Sequence, residues 1–97
     1  MKLGIVLATR GDLDHAVALA LAARRARHEV AVFAMDAGCH ALAEAPALVA
    51  ALADADCELI ACSNSAVGLA LPDDVMRGSQ DDHAAIVVTS DRVVAFT

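Results

Sequence analysis

The sequence predicts an α/β domain built on a small, mainly parallel sheet, and three observations lead to this prediction. Continuous apolar, β-branched runs lie at residues 2–8, 29–35 and 57–62, which is typical of strands buried on both faces. Segments with the helical i, i+3, i+4 spacing of apolar residues separate these runs. The resulting β-α-β-α-β order implies parallel strands joined by right-handed crossovers. With 97 residues, the chain is expected to form one domain spanning residues 1–97.

Each element in the first two thirds of the chain follows from a local signal. The first strand, 2–8, stops at the polar "TRGD", and Asp12 is a favourable N-cap for the helix after it. The second strand, 29–35, leads into a turn with a short helical stretch. Pro46 suits the first turn of a new helix, and the third strand, 57–62, follows that helix.

The last third of the chain has two competing interpretations. Two β-branched runs flank Ser90 and Asp91, which favours a hairpin across residues 84–97. Ser79 and Asp82, however, have the spacing of a capping box, which favours a helix followed by one final strand, "RVVAF". Local propensity alone favours the hairpin slightly.

Composition and charge exclude several classes of function. A net charge of −6 and the absence of Trp and Tyr argue against nucleic-acid binding, which needs basic and aromatic surfaces. The N-terminal apolar run is too short for a signal peptide or a membrane span, so we expect no membrane association and a cytoplasmic protein. The chain is 59% hydrophobic. A single small core is expected to bury only part of this apolar surface, which predicts a homo-oligomer.

Cys62 is the strongest candidate for a functional side chain. It ends the third strand, and ligands of open parallel sheets bind beyond the carboxyl ends of strands. Ser63, Asn64 and Ser65 follow it and supply hydrogen-bond donors, and "SNSAVG" is expected to open a helix whose N-terminus would stabilise a thiolate. The alternative is a small buried cysteine that only fills space.

Further candidate residues follow the first two strands. Arg10 and Gly11 come after the first strand, and Cys39 and His40 after the second. Because the carboxyl ends of parallel strands share one edge of the sheet, we expect these residues to gather around Cys62 as a substrate-binding group, with Arg10 as a nearby cation.

Other chemistry has little support in the sequence. Three cysteines, an odd number, indicate free thiols rather than a disulfide framework. Cys57 lies five residues before Cys62, so its side chain is expected on the opposite face of the sheet, in the core. No metal-ligand spacing, no phosphate-binding glycine motif and no hydrolase elbow is present, so neither a metal nor a cofactor is expected.

The cysteine after the third strand, the small residues and "GL" that follow it, and the closing "GSQDDHAAIVVTSDRVVAF" resemble the DsrE/DsrF-like family, which includes the TusD-type sulfur-relay subunits. The resemblance spans most of the chain. It implies a small flavodoxin-like α/β fold, a three-layer sandwich, with a helix at 79–89 and a strand at 92–96. It also implies assembly into trimers or hexamers.

For function, the resemblance implies that Cys62 accepts sulfane sulfur as a persulfide from a protein donor and passes it to an acceptor. Some members lack the cysteine, so a non-catalytic assembly or ligand-binding subunit of the same fold is the alternative. A third, weaker hypothesis is a redox module in which Cys39 and Cys62 form a switch.

Overall fold

The computed structural model describes all 97 residues, Met1–Thr97, as a five-stranded parallel sheet covered by four helices. The strands are β1 (Lys2–Leu7), β2 (Glu29–Ala34), β3 (Glu58–Cys62), β4 (Met76–Gly78) and β5 (Arg92–Phe96). The helices are α1 (Leu13–Arg25), α2 (Ala37–Glu44), α3 (Pro46–Asp54) and α4 (Gln80–Thr89). The strand order is β4-β3-β2-β1-β5, and every neighbouring pair is parallel. The predicted α/β class is confirmed.

The three central strands are buried along almost their whole length, as their uninterrupted apolar runs predict. Their side chains alternate between two cores. The larger core lies under α1, α2 and α3, and the smaller one lies under α4 and contains Ala31, Phe33, Ile60, Cys62 and Ile86. Helices on both faces of the sheet produce the expected three-layer sandwich.

The competing interpretations of the C-terminal third are resolved in favour of the helix, and the hairpin is wrong. Ser79 Oγ accepts a hydrogen bond from the Asp81 N–H at 3.2 Å, and the Ser79 N–H donates to Asp82 Oδ2 at 2.8 Å. This capping box starts α4, and Ile86 anchors the helix on the sheet at 2% exposure. The final strand then pairs with β1, its partner from the opposite end of the chain.

The segment between β3 and β4 corrects one prediction. Residues 63–68 form turns, so the helix expected in "SNSAVG" is absent. Ser and Asn side chains compete for backbone hydrogen bonds and favour turns, and Gly68 adopts φ +78°, outside the helical region. Strand β4 was not predicted, because its three residues, two of them exposed, make no apolar run.

The last strand lies at an edge of the sheet, which limits its burial. Val94 and Phe96 pack against the larger core but are only half-buried, so neither is a fully buried core residue. Val93 on the same strand is 40% exposed, and Val88 on α4 is 82% exposed.

None of the four helices combines the length and apolar composition needed to cross a membrane.

Candidate functional site

A cleft of about 490 Å³ opens beyond the carboxyl ends of β3 and β4. The two strands are parallel and Cys62 pairs with Gly78, so both chain exits lie at the same edge of the sheet. The Ser63 N–H donates to the Gly78 carbonyl at 2.8 Å and continues this pairing past the strand. The residues lining the cleft are Cys62, Ser63, Asn64, Arg77, Gly78, Ser79, Gln80, Asp81 and Asp82.

Cys62 is the one apolar residue in this lining. Its side chain belongs to the small core under α4, together with Phe33 and Ile60, and the residue is only 5% exposed. The thiol is therefore held in a packed position at the base of a cleft whose walls are polar.

Hydrogen-bond donors near the sulfur lower the pKa of the Cys62 thiol. The Ser65 backbone N–H has the largest effect, burial opposes it, and the Ser65 hydroxyl, the Gln80 side-chain amide and the Asn64 backbone N–H add to the lowering. Gln80 Nε2 lies 3.7 Å from Cys62 Sγ. Because these groups donate to an anion, they favour the thiolate over the thiol.

Arg77 holds the turn that supplies these donors. Its Nη1 donates to the Ala66 carbonyl at 3.0 Å and its Nη2 to the Leu69 carbonyl at 2.6 Å. The Ala66 N–H in turn donates to the Cys62 carbonyl at 2.9 Å. A guanidinium can bridge two carbonyls because its donors are fixed in a planar fork. Arg77 thus ties residues 62–69 to β4.

Gly78 allows the start of α4 to approach β3. A Cβ at this position would overlap the Asp82 carboxylate and lie 2.7 Å from Ile60 Cγ2. The absence of a side chain brings the first turn of α4, with Gln80, to the Cys62 sulfur. The N-terminus of α4 presents positive partial charge to the cleft, while the carboxylates of Asp81 and Asp82 add negative charge at its rim.

Three of the predicted binding residues lie around Cys62. Ser63 and Asn64 line the cleft, and Ser65 donates toward the sulfur. The expected helix N-terminus after Cys62 is replaced by N–H groups of a turn, which perform the same electrostatic task.

Arg10, Gly11 and His40 lie outside this cleft, contrary to the sequence-based expectation. Arg10 Nε forms an ion pair with Glu44 Oε1 at 2.8 Å, and Arg10 and Gly11 line a separate cleft. The reason is topological, because β1 lies two strands away from β3 and strands are about 4.8 Å apart. His40 is exposed on α2, which packs on the opposite face of the sheet from α4.

Cys39 lies near Cys62 but faces the other core. It is fully buried, its Sγ donates to the Ala34 carbonyl at 3.4 Å, and the Cys62 backbone N–H points toward its sulfur. Burial raises the pKa of the thiols of both Cys39 and Cys57. Cys57 packs in the larger core, on the opposite face from Cys62, as its offset predicted.

Arg77, Gly78 and Gln80 were missed by reasoning from the sequence. One signal was available, because the capping box at Ser79 marks the start of a helix. If a strand had been recognised before that helix, its carboxyl end would have placed Gln80 at the same edge as Cys62.

No three His, Cys, Asp or Glu side chains lie close enough together to hold a metal ion.

Comparison with known proteins adds two findings. The model of the DsrE/DsrF-like family matches residues 1–96 of the chain. The crystal structure of the ychN protein from E. coli is similar in fold, with a TM-score of 0.76 and 19% sequence identity, covering 99% of this chain and 100% of that one. At this identity the likeness concerns the fold alone. No curated protein sequence matches the chain significantly.

Proposed function

The chain belongs to the DsrE/DsrF-like family, and on this premise we propose that it is a sulfur carrier that accepts sulfane sulfur on Cys62 as a persulfide and passes it to a partner protein. The family suggests a sulfur-relay role in general. The observation that carries the specific proposal is the position of Cys62 in an open cleft with the Gln80 amide 3.7 Å from its sulfur, where donors of Ser65, Gln80 and Asn64 lower the pKa of its thiol.

The transfer step is a thiolate–persulfide exchange. The Cys62 thiolate attacks the outer sulfur of a donor persulfide, R–S–SH, and a new S–S bond forms as the donor S–S bond breaks. The donor leaves as its thiolate, R–S⁻, and Cys62 carries –S–SH. An acceptor thiolate repeats the exchange on Cys62 and restores its thiolate. Because sulfane sulfur only moves between thiolates, no separate oxidant or reductant is consumed.

The surroundings of Cys62 suit both states of this cycle. The donors of Ser65, Asn64 and Gln80 that favour the thiolate can also stabilise a persulfide anion, which carries its charge one atom further out. Ser63 and Asn64 line the cleft in which that additional sulfur and the incoming group would be held. Arg10, Gly11, Cys39 and His40 are not part of the proposed site.

Partners and location follow from the same proposal. The cleft is open to solvent, so we propose that protein thiols of a donor and an acceptor reach Cys62 directly. A cytoplasmic location suits three free cysteines, because a reducing environment keeps thiols available. We also propose a homo-oligomer, a trimer or a hexamer.

A second candidate function is a non-catalytic assembly subunit of the same fold. The exposure of apolar side chains, 82% for Val88 and 77% for Val67, favours it. The redox-switch hypothesis has less support, because Cys39 is buried in the other core and burial raises the pKa of its thiol.

Intact-protein mass spectrometry after incubation with a protein persulfide tests the proposal. We expect the wild-type chain to gain the mass of one sulfur atom, with the label on the peptide that contains Cys62. Cys62→Ser should gain nothing, while Cys57→Ser, the matched control, should load normally. Normal loading of Cys62→Ser, or no loading of the wild type by either a protein persulfide or an inorganic polysulfide, would contradict the proposal and favour the assembly subunit.

A further inference from the structure

A short chain of hydrogen bonds leads away from Cys62 along the first turn of α4. Gln80 Nε2 lies 3.7 Å from Cys62 Sγ, and Gln80 Oε1 lies 2.9 Å from His83 Nδ1. Gln80 and His83 are three residues apart and share one face of the helix. The His83 ring stacks on Phe33, with ring centroids 5.0 Å apart and an interplanar angle of 12°.

We propose that His83 is a positioning residue, whose ring N–H holds the Gln80 amide in the orientation that presents its N–H group, and not its oxygen, to the Cys62 sulfur. The inference rests on the proposed function only in assigning a use to the thiolate. The hydrogen-bond chain itself is independent of what Cys62 carries.

The need for such a residue comes from the symmetry of the amide. The oxygen and nitrogen of a glutamine side chain are nearly the same size, so either can occupy the position beside the sulfur. With nitrogen there, the amide donates to a thiolate. With oxygen there, two electron-rich atoms face each other and the thiolate is destabilised. Gln80 is exposed, so packing does not select between these orientations.

His83 supplies the selection. With hydrogen on Nδ1, its ring can only donate to the amide oxygen, and a flipped amide would place two donors against each other. Phe33 is fully buried and holds the imidazole ring in place by stacking. His83 therefore affects Cys62 through Gln80, without touching the sulfur.

Two substitutions of His83 separate its hydrogen bond from its ring. His83→Phe retains an aromatic ring that can stack on Phe33 but removes the donor. His83→Asn removes the ring but keeps an N–H at the δ position. We expect His83→Phe to slow the alkylation of Cys62 by iodoacetamide at pH 7 by about two- to tenfold, the effect of one net hydrogen bond on the thiolate population. His83→Asn should fall between the wild type and His83→Phe, because its amide can donate to Gln80 Oε1 but can also flip and accept.

The Gln80→Met background provides the decisive control, because it removes the amide and keeps a side chain of similar length. There, His83→Phe should cause no further slowing, and in the Gln80-containing chain it should move the pH profile of alkylation to higher pH. Equal slowing in both backgrounds, no slowing in either, or a larger loss in His83→Asn than in His83→Phe would overturn the proposal.

Persulfide loading is measured separately, so the two proposals can fail separately. A chain that loads sulfur on Cys62 but shows no coupling between His83 and Gln80 would retain its proposed function and lose this inference. A chain that shows the coupling but never loads sulfur would retain the positioning role and lose the function.

Discussion

Replacing Arg77 by Met should weaken both the fold and the reactivity of Cys62, although Arg77 makes no hydrogen bond to that sulfur. Met keeps an unbranched apolar stem but removes the guanidinium and its two hydrogen bonds to the carbonyls of Ala66 and Leu69. Those bonds tie down the turn that contains Ser65, whose backbone N–H does most to lower the pKa of the Cys62 thiol. The turn is therefore expected to become mobile and to present its N–H groups less often.

The magnitude follows from the number of bonds lost. Each net hydrogen bond contributes about 0.5 to 1.5 kcal/mol to stability, and this range applies instead of the higher one for charged groups because Arg77 is exposed to solvent. Two bonds correspond to about 1 to 3 kcal/mol of the free energy of unfolding. Loss of one donor at the thiolate corresponds to alkylation of Cys62 that is slower by about two- to tenfold at pH 7.

Urea unfolding and iodoacetamide alkylation followed by peptide mass mapping measure these two effects. Arg77→Lys is the matched control, because it keeps the positive charge but cannot bridge two carbonyls with a planar fork. We expect the Lys variant to recover less than half of the lost stability and reactivity. Full recovery by Lys would show that charge alone matters, and wild-type behaviour of the Met variant would show that the turn needs no clamp. Either result would refute the reasoning.

Three further predictions concern Gly78, the Cys62 thiol and the exposed Val88 on α4. Gly78→Ala should lower the free energy of unfolding by about 1 to 3 kcal/mol, because a Cβ would overlap the Asp82 carboxylate, while Gly11→Ala, with open space around it, should be near neutral in the same urea titration. The pKa of Cys62 is lowered by folding, so its contribution to stability is present above the ordinary thiol value of 9.0 and is lost as pH falls through the folded value. The stability of the wild type relative to Cys62→Ser should therefore rise between pH 6 and pH 10 in chemical unfolding, and a constant difference would contradict the lowered pKa. Light scattering should show that the wild type is a homo-oligomer and that Val88→Asp weakens the assembly, because Val88 is an exposed apolar residue. A monomeric wild type would contradict this prediction.

Much of the architecture is predictable from the sequence, because burial leaves a local pattern. Strands buried on both faces need uninterrupted apolar runs, and the three central strands are predicted within one residue of their observed ends. Pro46 and the Ser79–Asp82 pair mark helix starts for reasons that act within one turn. Cys62 is also predictable as a site candidate, because the end of a parallel strand is a local feature.

Only the tertiary structure determines which side chains accompany Cys62. The sequence pattern places Arg10, Cys39 and Cys62 at one edge of the sheet, but it does not specify the order of the strands along that edge. The observed order puts β4 next to β3 and β1 two strands away, so Gln80 reaches the sulfur and Arg10 pairs with Glu44. Likewise, the β-branched residues within 84–89 locally favour a strand. Long-range packing makes this segment a helix instead, because β1 pairs with β5 and α4 covers the sheet. Local sequence encodes which residues are buried, whereas strand order, which arises from contacts between distant parts of the chain, decides which buried and polar groups meet.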